Sequence, residues 1–228
     1  MRLAMLTFWA GMTLVAASAA GATAAQPMAG EIVVPQVFAR RSPEKAARVV
    51  RVLTEFRSDY RPRVVLVLET RITPSGTEWY HVSLPGRPNG QHGWIPSEAV
   101  RLRRVVNRIV VHRDARRLEV RRLADAKVLF QAPVAVGTPD APTPLGRNFY
   151  VQWRLTPNDP FFGPFALETS AYSRLSDWPG GGIVGIHGTS LPGLIGRAVS
   201  HGCIRMLNAD VVQLRRLAAV GTPVDIVP

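Results

Sequence analysis

The stretch Ile186–Met206, IHGTSLPGLIGRAVSHGCIRM, decides how this chain is read. Its left end closes an apolar run, IVGIH, that reads as a buried strand ending at His187. A loop rich in Gly, Pro and Ser then returns the chain to Ser200. The right end holds Cys203, the sole cysteine in 228 residues. An odd cysteine is either an intermolecular bridge or a reactive thiol.

As a nucleophile, a thiol of ordinary pKa needs a base or a positive environment, because only a small fraction is thiolate at neutral pH. Two histidines are within sequence reach, His201 and His187. If Ser200–Arg205 is extended, His201, Cys203 and Arg205 project to one face. Neighbours on that face stand roughly 6.5–7 Å apart at the backbone, a poor distance for in-line proton transfer. A side chain brought from an adjoining strand faces the thiol directly, which makes His187 the preferred base. The Gly188 carbonyl can then hold the other ring nitrogen and fix the tautomer. Asp210 and Asp225 read as a helix-start charge and a strand-edge residue, so no carboxylate is assigned to that role. Gly202 removes bulk beside the thiol, and the N–H groups of Gly202 and Cys203 are candidate oxyanion donors. Arg205 is a candidate for holding a carboxylate bidentately. The competing readings are a core cysteine, structural histidines, or a zinc site whose H-x-C spacing lacks the usual C-x-x-C partner.

Working outward, the chain from Asn107 on is strand-rich. RIVVH, RRLEV, VLFQAPVAVG, NFYVQW and the closing PVDIV are separated by turns, with a loop-heavy stretch between Thr156 and Gly182. One helix is expected from Asn208 to about Val220, with Asn208 as its cap. Val211, Leu214, Leu217 and Ala218 fall on one face, and Gly221 and Pro223 mark the stop. Residues 46–103 read as several short strands and turns, a small barrel. Trp79 and Trp94 there belong to a core or line a groove. Residues 26–45 read as a lead-in linker with at most one short strand. Residues 1–25 have a positive Arg2, an apolar run and small residues near Ala24, the pattern of a signal peptide. If uncleaved, the same run is about long enough to anchor in a membrane.

The formal net charge is +12, nearly all from scattered arginines. Scatter and an export signal argue against nucleic acid and for an anionic wall or membrane surface. With one cysteine there is no internal disulfide, so ordinary apolar cores must hold the fold.

Taken together, IHG…SHGCIRM, the upstream PVAVGTPDAPTPLGRNFYV and the terminal GTPVDIV resemble the YkuD-type L,D-transpeptidases over about residues 107–227. The W-Y-x-V…G-W-I-P order resembles bacterial SH3-like domains. The resemblance implies a mainly β protein: an SH3-like barrel at 46–103, then a β-rich catalytic domain at 105–228 with one clear C-terminal helix. It implies Cys203 as nucleophile and His187 as proton carrier backed by Gly188. Ser200, His201 and Gly202 would shape the pocket, and Arg205 would orient the substrate. The implied partners are peptidoglycan stem peptides in the cell envelope, with no cofactor or metal. An amine acceptor would give a transpeptidase and water an L,D-carboxypeptidase. A non-catalytic wall-binding protein is the reading from another class.

Overall fold

The computed structural model describes residues 26–177 and 179–228, so the segment read as a signal peptide lies outside the described residues. Two β-sheets follow one another along the chain. The first is built from β1 (Met28–Ile32), β2 (Gln36–Arg40), β3 (Val49–Thr54), β4 (Val64–Ile72), β5 (Glu78–Ser83), β6 (His92–Pro96) and β7 (Val100–Arg104). Their spatial order is β3-β2-β6-β5-β4-β1-β7, and the pairings are antiparallel. The core of this unit is aliphatic, with Ile32, Leu53, Val65, Val82 and Ile95 buried. Trp79 and Trp94 are buried as well.

Residues 26–45 are not a linker. They hold β1 and β2, and β1 lies inside the sheet between β4 and β7. The buried positions of β1 include Ala29 and Gly30, which are too small to give a visible hydrophobic alternation. Gly30 is needed there, because a Cβ would stand 2.6 Å from Val100 Cγ1.

The second sheet contains β8 (Asn107–His112), β9 (Arg117–Arg122), β10 (Val128–Pro133), β12 (Gly146–Leu155), β13 (Ala166–Tyr172), β14 (Ile183–His187), β16 (Ile204–Arg205) and β17 (Pro223–Val227). The order is β10-β9-β8-β17-β12-β13-β14-β16. A separate parallel pair joins β11 (Val136–Gly137) to β15 (Ala198–Ser200). In β8 the alternation is clean: Asn107, Ile109 and Val111 point inward and their neighbours are partly exposed. Ile109 and Val111 join Leu118, Val120, Val151, Leu167 and Ile186 in one core. The helix α1 (Asn208–Leu217) closes that core with Val211 and Leu214, and Ala218 follows. Nonlocal burial of this kind is the main favourable term in folding.

The helix differs from expectation at both ends. It stops at Leu217, three residues short, and its first turn has no side-chain cap. Gly221 does adopt a left-handed backbone (φ 87°), but it turns the chain toward β17, with its N–H donating to Val151 O at 2.8 Å. Asn208 is spent elsewhere, as described below.

Between the sheets Ala29, Val64 and Val105 form a small apolar cluster with Leu123 and Val220. Gly221 packs against it so closely that a Cβ would stand 2.2 Å from Ala29 Cβ.

A sharper packing constraint sits at Gly137 in β11. A Cβ there would meet backbone atoms of the 141–143 loop at 2.2–2.7 Å, and backbone cannot step aside as a flexible side chain can. Gly137→Ala is expected to cost at least about 2 kcal/mol, a fall in Tm of roughly 5 °C or more in thermal unfolding.

Candidate active site

The parallel pairing of β14 with β16 builds the site. Ile186 lies opposite Ile204 and His187 opposite Arg205, so Cys203, just before β16, is brought alongside Gly185 and His187. The Gly185 N–H donates to Cys203 Sγ at 3.4 Å, and the thiol reaches toward Ile183 O at 3.9 Å. A Cβ on Gly185 would stand 3.7 Å from His187 Cδ2 and 3.8 Å from Cys203 Sγ. The imidazole and the sulfur therefore converge over a bare glycine.

His187 is buried, and its Nδ1 lies 2.6 Å from Gly188 O. A carbonyl only accepts, so Nδ1 carries the proton and Nε2 keeps its lone pair. Burial, with Arg205 adding to it, lowers the His187 pKa to about 4. Burial also pushes the Cys203 thiol up, partly opposed by the Gly185 hydrogen bond and the Arg205 charge. Both effects favour a neutral thiol beside a neutral imidazole at physiological pH.

The nucleophile turn is not extended. Gly202 has φ 118°, a region that favours glycine, and the chain bends between Ser200 and Cys203. The common face expected for His201, Cys203 and Arg205 is therefore not formed. His201 is exposed at the mouth of the cavity, whereas Arg205 is buried. The turn is pinned from behind. Ser200 Oγ donates to Cys203 O at 2.5 Å, Thr143 Oγ1 to Gly202 O at 2.9 Å and Ser173 Oγ to His201 O at 2.9 Å. Gly202 N–H is already turned to Ser200 Oγ at 3.2 Å, so the expectation that it faces an oxyanion is not met.

The cavity over the pair measures about 610 Å³. Arg205 lines it as a buried cation; its Cζ lies 4.8 Å over the Phe161 ring, and its Nε has no hydrogen-bond partner among the described residues. Phe162 meets the His187 ring edge-on with centroids 5.0 Å apart. Asp225 is occupied far from this pair, with Arg108 at 2.5 Å and the Asn148 N–H at 2.9 Å. Among the described residues no three His, Cys, Asp or Glu side chains converge as metal ligands would.

Several site residues escaped the sequence reading. Asn208 Oδ1 accepts from Thr189 N–H at 2.8 Å and ties the turn after His187 to the helix. Gly163 and Gly188 both leave room for it, since a Cβ on either would come 2.4 Å from Oδ1. Ser173 and Gly185 carry no signature of their own, whereas Thr143 lies in the quoted PVAVGTPDAPTPLGRNFYV stretch without a role assigned to it. The Phe161–Phe162 pair did carry one: two large apolar residues in a loop between Pro160 and Gly163.

The buried neutral imidazole has a cost on acidification. Unfolded, it binds a proton at the usual value of 6.5; folded, only near 4. Between the two the unfolded chain binds more protons, so stability falls as the pH drops from 6.5 to 4, by up to about 3 kcal/mol. His187→Gln is expected to lose that share of the pH dependence, read as a shallower slope of unfolding free energy in denaturant titrations over that range.

Residues 106–226 match the family model of the YkuD L,D-transpeptidase catalytic domain. The chain is 38% identical over 100 residues to YkuD of Bacillus subtilis strain 168, covering 44% of this chain and 54% of that one. It is 34% identical over 125 residues to YqjB of the same strain, covering 51% of this chain and 68% of that one. The chain spans about half the length of the YkuD proteins it matches. Solved structures that it resembles include L,D-transpeptidase 3 of Mycobacterium tuberculosis with a faropenem-derived adduct (TM-score 0.46, 16% identity, 73% of this chain and 91% of that one). The catalytic domain of the Enterococcus faecium L,D-transpeptidase is another (TM-score 0.39, 25% identity, 53% of this chain and 95% of that one). By the family model, which takes in more than half of its length, the chain belongs to the YkuD L,D-transpeptidase catalytic domain family.

Proposed function

We propose that this protein is a peptidoglycan L,D-transpeptidase with Cys203 as nucleophile and His187 as proton carrier. The observation that supports it most is the convergence of Cys203 Sγ and the His187 ring over Gly185, in a cavity shared with Arg205, whose Nε has no hydrogen-bond partner among the described residues.

The chemistry starts from a neutral pair. As Sγ attacks the carbonyl between the third stem residue and the terminal D-alanine, its proton passes to His187 Nε2. The Nδ1–H bond to Gly188 O disperses the charge that the ring gains. The carbonyl oxygen becomes an oxyanion, and the Cys203 N–H is the donor left on that side of the turn. Collapse breaks the C–N bond, His187 returns the proton to the departing amine, and D-alanine leaves behind a thioester. The amine of a second stem then attacks the thioester, gives its proton to His187, and the sulfur leaves and is reprotonated. The product is a cross-link between third residues; with water in place of the amine the enzyme is an L,D-carboxypeptidase. Arg205 takes a carboxylate of the donor stem as a charge-assisted partner. Phe161 beneath the guanidinium keeps it from swinging away.

In this reading residues 1–25 direct export to the envelope, and the basic surface favours the anionic wall polymer. The N-terminal sheet serves as an SH3-like unit on that polymer.

Cys203→Ala is expected to abolish D-alanine release from a tetrapeptide stem while leaving the melting curve unchanged. His187→Ala is expected to lose at least about 100-fold in kcat, and His201→Ala under about tenfold. The reverse ranking of the two histidines would overturn the choice of base. A neutral resting pair also sets the pH profile: kcat/KM is expected to hold down to about pH 5 and to be half-maximal near pH 4, where His187 gains its proton. Imipenem is expected to add its own mass to the wild type and nothing to Cys203→Ala in mass spectrometry of the intact protein.

A further inference from the structure

The N-terminal sheet reaches the wall of the Cys203 cavity through the loop between β5 and β6. The Arg87 guanidinium in that loop donates to three carbonyls of the segment joining β13 to β14: Ser173 O at 2.7 Å, Gly181 O at 2.9 Å and Leu175 O at 3.1 Å. Its Cζ also lies 4.9 Å over the Tyr172 ring. Two residues on, Asn89 brackets the Tyr172 backbone as a neighbouring strand would. Asn89 Nδ2 donates to Tyr172 O at 2.8 Å, and the Tyr172 N–H donates to Asn89 Oδ1 at 2.9 Å.

The bracketed segment ends in a run of three glycines. Gly180, Gly181 and Gly182 are all left-handed, with φ of 77°, 64° and 77°. Such a run gives up more conformational freedom on ordering than any other residue type would. It is also packed to the limit, since a Cβ on Gly182 would stand 2.0 Å from Leu175 O and 2.6 Å from Arg87 Nη2. Gly180 and Ile183, on either side of that contact, line the cavity.

The line of contact continues to the thiol. Ser173, whose carbonyl Arg87 holds, donates its Oγ–H to His201 O at 2.9 Å. The Ser173 Cβ backs Gly202 so closely that an added Cβ there would be 3.0 Å away. Gly202 precedes Cys203. Elsewhere on the cavity, Arg57 and Arg61 of the same N-terminal unit hold the Glu168 carboxylate at 2.8 and 3.2 Å.

We propose that Arg87 is a positioning residue for the Cys203 site, by which the N-terminal sheet orders the β13–β14 connection and, through Ser173, the turn that carries the thiol. The N-terminal sheet is thus part of the donor-site architecture and not only an attached unit. The kinetic consequence rests on the acyl-transfer reading above; the structural consequence rests on the side-chain-to-backbone contacts of Arg87, Asn89 and Ser173 alone.

The test uses the full chain with Arg87→Ala and Arg87→Lys. The Ser173 N–H donates to Gly182 O at 2.8 Å, so its hydrogen exchange reports the connection directly. In Arg87→Ala that amide is expected to exchange at least about tenfold faster, while β9 amides keep the wild-type rate. For a tetrapeptide stem kcat/KM is expected to fall about tenfold or more, and alkylation of Cys203 by iodoacetamide to stay within about threefold. Arg87→Lys is expected to recover little, because an ammonium is a point donor and does not span three carbonyls. Unchanged Ser173 exchange overturns the proposal whatever the activity. So does unchanged turnover in an active protein, or a loss matched by faster exchange across β9, which is general destabilisation. If the wild type turns over no stem peptide, the acyl-transfer reading fails and Ser173 exchange alone decides this one.

Discussion

The hydrogen bond from His187 Nδ1–H to Gly188 O is the contact on which the candidate chemistry depends. It is formed between adjacent residues, so it needs the backbone to turn sharply as β14 ends. That turn is held by Asn208 from the helix side and permitted by Gly163 and Gly188. Among the described residues no carboxylate takes part. A carbonyl dipole gives less stabilisation to an imidazolium than a full negative charge would, and burial works in the same direction. The ring therefore stays neutral through most of the pH range, with Nε2 free to receive a proton. The pair rests as a neutral thiol beside a neutral imidazole and not as an ion pair.

The second organising feature is the seam between the two sheets. It is narrow in its apolar part, with Ala29, Val64 and Val105 at the centre. Its polar part is arginine-rich on one side. Arg57 and Arg61 meet Glu168, Arg61 stacks over Trp153, and Arg87 meets three carbonyls and Tyr172. Arginine suits such a seam because its flat, rigid donor fork satisfies several acceptors at once and stacks on rings. Part of the basic composition is therefore structural. It is spent on joining the units.

How much of this was legible depends on whether a residue acts through spacing or through approach. Strands such as Asn107–His112 announce themselves by alternation, but β13 (Ala166–Tyr172), interior to the second sheet, lies within the stretch that reads as loop-heavy. His187 stood out because it ends an apolar run, and Cys203 because it is the sole cysteine in the chain. Residues that act by leaving space were invisible. Gly185 matters because nothing projects from it between ring and sulfur. Asn208 was misassigned because a residue at a helix start is usually read as its cap, while a tertiary acceptor role leaves no local trace. β1 was missed for a related reason, since Ala29 and Gly30 fill buried positions without looking hydrophobic. The bend at Gly202 could not be told from an extended segment, and so a shared face was expected that the backbone does not make.

The protonated state of Cys203 has a consequence for its oxidation. Peroxides attack sulfur through its anion, so the rate of damage follows the thiolate fraction. A sulfur kept protonated by burial offers peroxide little to attack. The desolvation that raises the thiol also shields it from oxidants.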